Sequence, residues 1–308
     1  MNLEHMMHRH GSLMALVTVL VVGLTYQAHA GGAWVDSLGH GSIRLGYDWK
    51  MQPGALRRDT QGELYRSLFN MTHDYRFLYA GGEVGLGRRL EASFLVTYLW
   101  AREIVDSTSE DPSRIYHGPS DMWVGLKYQV IDGDYPIAVG ANVRLPNLYE
   151  ANSMLNGQLL TEITGLLGHD YEASIYASHS FNSSLYASAT LGGRIREGAS
   201  ANQILYGADA GYTIPILGDR ISVRAGFDGV ASIGEPRPST AKDRFPGLSL
   251  ERDNHFFDFN DASYLRPQLG IAVRVLPRLE VNGGFAYIIW GHSTVVYQDF
   301  LLQAGYSF

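Results

Sequence analysis

The chain ends in VYQDFLLQAGYSF, residues 296–308, and the side chains of this stretch alternate in character with a period of two. Successive side chains of a β-strand point to opposite sides, so the alternation predicts a strand with one apolar face. The residues between the apolar ones are mostly polar or small. The apolar face comprises Phe300, Leu302, Ala304, Tyr306 and Phe308.

The same alternation recurs in eleven further segments upstream. Each is close to the roughly 9–11 residues that cross a bilayer as a tilted strand. The sequence therefore predicts about twelve strands, and the strand number is expected to lie between about ten and about fourteen. The upstream segments are residues 43–50, 69–79, 90–100, 121–129, 137–145, 170–178, 185–195, 204–214, 221–228, 265–275 and 279–289.

The segments are joined by connections of two kinds, as in up-and-down barrels of membranes. Short turns rich in Gly, Asp, Asn and Pro alternate with long polar stretches. An even number of strands would place both chain ends at the end of the barrel that carries the short turns. The short turns are Gly85–Arg88, Ile131–Asp134, Asn182–Ser183, Pro215–Asp219 and Leu276–Arg278, and the long stretches are Met51–Arg66, Ile104–Pro119, Pro146–Leu167 and Gly234–Asn260.

The two faces of the predicted strands differ in chemistry. The apolar faces carry aromatic residues near both ends, such as Trp100 near one and Phe181 near the other, which is typical of strands in a bilayer. The opposite faces are too polar for the packed core of a sandwich and suit a wet interior. We therefore predict an all-β fold, a transmembrane antiparallel up-and-down β-barrel. The expected lumen-lining residues are Arg44, Asp48, Arg76, Asp121, Lys127, Arg144, Arg194, Arg224, Asp228, Arg266, Arg274 and Glu280.

Two interpretations of these inner charges remain open. They could set a field across a pore and filter solutes by charge and size. They could instead pair across strands and keep the lumen hydrated and rigid. For any single residue we favour pairing.

The N-terminal 30 residues have the pattern of a secretory signal peptide. An apolar run over residues 13–24 is followed at residues 28–30 by AHA, an A-x-A cleavage site. The run is well short of the roughly 20 residues that a spanning helix needs. We predict cleavage after Ala30, which leaves residues 31–308 as a single outer-membrane β-barrel domain.

The composition argues against several classes of function. The formal net charge is −7 and no block of Lys or Arg is present, so a nucleic-acid partner is not expected. The absence of Cys excludes disulfides, thiolate metal sites and a cysteine nucleophile. Acidic residues crowd the end of the longest connection, around Asp253 and Asp258, but they lack EF-hand spacing and fit a solvated loop. We expect no metal and no cofactor.

Two adjacent His and Ser pairs raise the question of a lipid hydrolase in the outer membrane. The first pair is His179 and Ser180, and the second is His292 and Ser293. Adjacent residues of a strand face opposite sides, so His179 could not activate Ser180 as a nucleophile. The second pair falls in a predicted loop. We predict that the protein is not an enzyme and keep a hydrolase as a less favoured alternative.

The last strand, which ends on Phe308, resembles the C-terminal signature of Gram-negative outer-membrane barrels that the barrel-insertion machinery recognises. A second resemblance rests on GPSDMWVGLKY at residues 118–128, with GLGRRLE at residues 85–91 before it and RLP at residues 144–146 after it. This part of the chain resembles the MetA-pathway phenol-degradation family, which is broadly similar to the fatty acid and aromatic hydrocarbon transporters. It departs from the family pattern after Pro146. The resemblance implies uptake of small hydrophobic or aromatic compounds.

We therefore expect a channel or transporter for passive uptake of small molecules across the outer membrane of a Gram-negative bacterium. The alternative is the barrel component of a system that exports or assembles exopolysaccharide or another polymer. The expected partners are outer-membrane lipid and lipopolysaccharide, the barrel-insertion machinery and a small-molecule solute, with the oligomeric state left open.

The segment before the first strand is short once the signal peptide is removed. Only about a dozen residues precede that strand, so we expect no N-terminal plug of the kind found in fatty acid transporters. A blocked lumen would then require an inward-folded loop. The best candidate is Gly234–Asn260, because it is long and contains four phenylalanines.

Overall fold

The fold consists almost entirely of β-strands. The computed structural model describes residues 32–53, 56–58, 63–66, 72–104, 113–145, 150–155, 158–162, 169–197, 201–215, 219–233, 263–292 and 294–308. No helix in these ranges is long and apolar enough to cross a membrane. The predicted signal peptide and the connection Gly234–Asn260 lie outside the described residues, as does the acidic cluster around Asp253.

The strands vary from short hairpin arms to long wall elements. In chain order they are β1 (Gly41–Met51), β2 (Leu56–Arg58), β3 (Leu64–Arg66), β4 (Thr72–Gly85), β5 (Leu90–Ile104), β6 (Ser113–Ile131), β7 (Ile137–Leu145), β8 (Glu150–Leu155), β9 (Gln158–Glu162), β10 (Asp170–Ser180), β11 (Leu185–Arg196), β12 (Asn202–Thr213), β13 (Ile221–Ile233), β14 (Ser263–Leu276), β15 (Leu279–Tyr287), β16 (Trp290–His292), β17 (Thr294–Val295) and β18 (Gln298–Ser307).

Twelve of these strands form one closed antiparallel barrel, which confirms the predicted fold class and strand number. The last strand pairs with the first along its whole length, from Ser42 opposite Ser307 to Met51 opposite Gln298. Every wall strand therefore has a neighbour on both sides, and the wall has no free edge. The order around the wall is β1, β4, β5, β6, β7, β10, β11, β12, β13, β14, β15 and β18.

The two ends of the barrel differ as the sequence predicts. Short turns join β4 to β5, β6 to β7, β10 to β11, β12 to β13 and β14 to β15, and the start of β1 and the C-terminal residue lie at that same end. We call it the turn end and the opposite one the loop end. At the loop end, β8 and β9 extend the wall beside β6, and β2, β3 and β17 form a separate small sheet.

The apolar faces point outward and the polar faces inward. Leu45 on β1 and Leu191 on β11 are 61% and 59% exposed, whereas the charged Asp48 is only 4% exposed. The face predicted from the last strand is also external, since Phe300 and Leu302 lie beside Trp49 and Tyr47 of β1. Burial is therefore inverted relative to a soluble protein, as a barrel surrounded by hydrocarbon requires.

Strand β4 departs from the expected orientation. Its Tyr75, Phe77 and Tyr79 share the inner face with Asp48, because Phe77 lies opposite Asp48 in the register. Tyr79 is 6% exposed and donates a hydrogen bond from its hydroxyl to Gln303 at 2.8 Å. The prediction that Arg76 lines the lumen requires these aromatic side chains, which alternate with it, to face lipid. They lie in the lumen instead, so the predicted orientation of this strand is wrong.

A glycine on the neighbouring strand makes room for one of these rings. A Cβ atom added at Gly46 would lie 2.2 Å from the ring of Tyr79. The ring thus lies directly over the backbone of β1, and any side chain at this position would displace it. Beyond it, Tyr79 packs with Leu95 and Leu301, and Trp123 lies against this apolar cluster inside the barrel.

The outward face of β11 provides a test of the barrel orientation. We expect Leu191→Arg to lower the free energy of unfolding by about 2–4 kcal/mol, because the charge would enter hydrocarbon near the middle of a strand. The measurement is reversible denaturant unfolding in lipid vesicles. Thr190→Arg, one residue away on the luminal face, serves as the matched control and should cost clearly less. Equal costs at the two positions would contradict the assignment of faces.

Candidate functional site

The candidate functional site is the barrel lumen, and the structure places most of the predicted lining residues there. Of the twelve, all but two have side chains on the inner face. The side chain of Asp121 lies outside the described residues. The ten inner residues are Arg44, Asp48, Lys127, Arg144, Arg194, Arg224, Asp228, Arg266, Arg274 and Glu280.

Arg76 is on the outer face, so its predicted position in the lumen is wrong. Its guanidinium is 2.8 Å from a carboxylate oxygen of Asp74, which also accepts a hydrogen bond from the indole of Trp49 at 2.6 Å. These groups lie toward the loop end of their strands, where an ion pair and an indole suit a membrane interface. The error follows from the inverted face of β4.

An ion cluster spans four strands on one side of the lumen. Arg266 binds both carboxylate oxygens of Asp228, at 3.1 and 2.9 Å, and also contacts Asp299. Lys50 lies 3.5 Å from Asp48 and 3.8 Å from Asp299. The two cations and three carboxylates leave this wall with one excess negative charge.

A second cluster lies on β7, β10 and β11. Arg144 is 3.0 Å from Asp170, and Arg196 approaches the same carboxylate oxygen at 3.7 Å. Arg194 binds Glu172 and donates to the side-chain oxygen of Gln203 at 3.0 Å. Asp170 and Glu172 of β10 therefore link arginines of β7 and β11 into one network.

Further ion pairs lie nearer the turn end. Arg224 is 2.8 Å from Asp209, which also accepts a hydrogen bond from Ser188 at 2.6 Å. Arg44 contacts Glu83, and Lys127 lies 2.9 Å from Glu91. Most of the inner charges are therefore paired across strands, which favours the pairing interpretation for individual residues.

Of the cavities between the described side chains, two are stacked along the lumen. The upper cavity, near the loop end, has a volume of about 290 Å³ and is lined by Lys50, Leu95, Trp123, Arg144, Arg194, Arg196, Leu205, Tyr264 and Arg266, among others. The lower cavity, near the turn end, has a volume of about 370 Å³ and is lined by Arg44, Arg224, Gln268, Arg274, Arg278, Glu280 and Asn282, among others. Thr190 and Asp228 line both cavities, so the two lie one above the other in the lumen.

The segment before β1 enters the lumen at the turn end, which sequence analysis did not predict. Ala33 is fully buried against Ala138 and Tyr176, and its backbone N–H donates to the hydroxyl of Ser178 at 2.8 Å. The carbonyl of Gly32 accepts from the Lys127 ammonium at 3.5 Å. The expectation that only an inward-folded loop could fill the lumen is therefore wrong.

The segment crosses the turn end from one wall to another. Its Asp36 N–H donates to Glu91 on β5 at 3.0 Å, and Trp34 packs edge-on against Tyr186 on β11. Gly32 has a φ of +60°, and a Cβ atom there would lie 2.2 Å from the Ser178 hydroxyl. Small residues at the start of the predicted mature chain were the available signal, since only they fit between packed luminal side chains.

The first His and Ser pair does not form a catalytic dyad. His179 stacks on Tyr135 with ring centroids 4.2 Å apart, on the opposite side of the strand from Ser180, which faces the lumen. Ser293 lies outside the described residues. Within the described ranges, no group of three or more His, Asp or Glu side chains is arranged to hold a metal ion.

Comparison with known proteins gives a fold and no sequence family. No family model and no curated protein matches the chain. The barrel is similar to an outer membrane channel from Pseudomonas putida F1, with a TM-score of 0.60 at 11% identity, covering 92% of this chain and 100% of that one. The chain has the fold of an outer-membrane β-barrel.

A second solved structure shares this architecture. The β domain of the Bordetella autotransporter BrkA is similar with a TM-score of 0.52 at 12% identity, covering 88% of this chain and 100% of that chain. A channel and an autotransporter domain thus share this outer-membrane barrel fold, and the fold alone does not select between their functions. Membership of the phenol-degradation family stays a prediction.

The position of Gly32 gives a test of the luminal N-terminal segment. We expect Gly32→Val to displace the segment, because the added side chain would overlap Ser178 and the positive φ would be strained. Single-channel conductance in a planar bilayer should rise. Gly39→Asn is the control, since Gly39 also has a positive φ but has open space around its Cβ position. Unchanged conductance in Gly32→Val would show that the segment does not limit the pore.

Asp36 should make the docking of this segment depend on pH. Burial raises the pKa of the Asp36 carboxyl, and Glu91 raises it further, while Lys127, Arg44 and His40 act in the opposite direction. A raised pKa means that the docked segment holds the neutral acid more readily than the carboxylate. Docking is therefore favoured below this pKa and weakens as the pH rises through it.

We expect conductance to fall on acidification through a range that begins above the ordinary pKa of aspartate. Asp36→Asn, which mimics the neutral acid, should hold conductance low and reduce its dependence on pH. The measurement is conductance against pH for both proteins at fixed salt. A parallel fall in the two proteins would assign the effect to other groups.

Proposed function

We propose that this protein is an outer-membrane channel through which small molecules cross passively. One observation carries the proposal: a closed barrel with an apolar outer surface encloses a charged interior with two stacked cavities. The apolar surface suits hydrocarbon, and the charged interior suits water and polar solutes. The similarity of the barrel to an outer membrane channel is consistent with this function.

The proposed location is the outer membrane of a Gram-negative bacterium. The predicted signal peptide would be removed after Ala30, and residues 31–308 would form the barrel domain. The barrel-insertion machinery would recognise the last strand through its outward face, which ends at Phe308. Lipid and lipopolysaccharide would then cover the apolar surface.

The lumen charges support a channel with weak preference for the sign of an ion. Among the described residues, most of the inner charges form pairs of opposite sign across strands, so neither sign dominates the lumen. The carboxylate-rich Arg266 cluster faces the arginine-rich Arg194 cluster. This arrangement sets a field across the lumen.

The aromatic or hydrophobic solute class rests on the sequence resemblance. The described lumen offers one structural feature in its favour, the apolar cluster of Tyr79, Leu95, Leu301 and Trp123. A molecule with both polar and apolar parts would therefore contact favourable groups on both sides of the barrel. The luminal N-terminal segment would restrict passage at the turn end.

Vesicle swelling tests the proposed channel. We expect vesicles that contain the protein to admit small neutral sugars, and the rate to fall steeply as the sugar becomes larger. Planar bilayers should give permeabilities for K⁺ and Cl⁻ within a few-fold of each other, because most of the described inner charges are paired with a charge of opposite sign. Gly32→Val should admit larger sugars than wild type.

Correctly inserted protein is checked by its heat-dependent mobility on gels. An inserted barrel that neither swells vesicles nor conducts, in wild type and in Gly32→Val, would contradict passive transport. Such a result would favour a barrel that functions only with an export or assembly partner.

A further inference from the structure

The upper cavity has a cationic side and an apolar side. Arg144, Arg194 and Arg196 line it together with the ring of Trp123 and the ring of Tyr264. Leu95, Leu205 and Val230 add an aliphatic surface, and each of these three is at most 7% exposed. Water and small ions need no such apolar surface, so its presence beside guanidinium groups calls for a more specific ligand.

The cationic side can accept a further anion. Arg144 and Arg196 are 2% and 8% exposed, and both approach the carboxylate of Asp170. Arg194 has five N–H donors, of which its contacts with Glu172 and Gln203 use three. Among its described lining residues, the upper cavity has five cationic and three acidic side chains. A carboxylate would be attracted to this cavity and could bind Arg194 through the remaining donors.

The apolar side lies within reach of the same guanidinium. The guanidinium carbon of Arg194 is 5.5 Å from the centroid of the Trp123 ring. A flat ring could therefore contact Trp123 while a carboxylate attached to that ring contacts Arg194. Stacking and ion pairing would act on the two ends of one small molecule.

The facing wall disfavours other ligands. Asp48, Asp228 and Asp299 outnumber Lys50 and Arg266, and the excess negative charge would repel a second carboxylate. The volume of about 290 Å³ limits the ligand to about one ring, since sites for drug-sized molecules begin near this size.

We propose that the upper cavity binds small arylcarboxylates, that is, monoanions with a carboxylate on a single aromatic ring. This site rests on the proposed channel function and specifies the solutes that it selects. Arg194 would bind the carboxylate, and Trp123 would bind the ring. Passing anions of this class would pause in the upper cavity before they reach the lower cavity and the N-terminal segment.

Binding is measured on the full mature protein in detergent, so the result does not depend on conduction. The probes are benzoate, the neutral isostere benzamide, and acetate, and ligand-observed NMR gives their dissociation constants. We expect benzoate to bind about tenfold more tightly than benzamide, because only benzoate forms the charged hydrogen bonds. Acetate should also bind more weakly, since it lacks the ring.

Variants separate the two sides of the site. Arg194→Gln should weaken benzoate about tenfold and leave benzamide nearly unchanged. Trp123→Leu should weaken benzoate about threefold and leave acetate unchanged. Arg224→Gln is the matched control, because Arg224 is also a luminal arginine with one carboxylate partner but lies in the lower cavity. It should bind benzoate like wild type.

Removal of Arg194 alone takes away the guanidinium that binds the buried Glu172, and the loss of stability could keep the barrel from folding. The double variant Glu172→Gln with Arg194→Gln removes the pair together and should also lose about tenfold in benzoate affinity. Equal affinity for benzoate and benzamide, or wild-type affinity in the folded double variant, would overturn the site. If the protein conducts but does not bind benzoate, the binding site is overturned and the channel function stands. If the protein binds benzoate but neither wild type nor any variant conducts, the channel function is overturned and the binding site stands.

Discussion

The structure depends on one constraint: a backbone polar group inside hydrocarbon must find its hydrogen-bond partner within the protein. A sheet with two edges cannot meet this requirement, so the wall must close on itself. Closure occurs where β18 pairs with β1, from Ser42 opposite Ser307 to Met51 opposite Gln298. Once the wall is closed, the alternation of each strand assigns one side chain to lipid and the next to the lumen.

Closure also determines the chemistry of the interior. Charged side chains that the outer face cannot hold are gathered inside, where low exposure makes an unpaired charge costly. The described lumen resolves this by cross-strand pairs, such as Arg224 with Asp209 and Arg266 with Asp228. The carboxylate-rich Arg266 cluster and the arginine-rich Arg194 cluster lie on opposite walls, and together they give the lumen its electrical asymmetry. The apolar cluster around Tyr79 adds a surface that water does not require.

Much of the barrel fold and of its lumen could be predicted from sequence, because polar and apolar residues that alternate with a period of two lie on opposite faces of a strand. Ten of the twelve proposed lumen residues lie on inner faces, and the strand number is correct. The pattern failed at β4, where both faces contain apolar side chains and the period alone cannot tell which one faces lipid. Arg76 was misplaced for that reason. Sequence analysis also does not predict the luminal position of Ala33, because a short segment of small residues shows no alternation of polar and apolar side chains.

The pairing of the first strand with the last has a consequence for synthesis. The two partners are separated by nearly the whole chain, so this contact has the greatest sequence separation in the barrel and a large loop-closure entropy. The ribosome must release the C-terminal residues before the wall can be completed. A chain that stopped before β18 would expose the edges of both β1 and β15 to lipid. Only a chain that includes β18 can therefore form a closed wall.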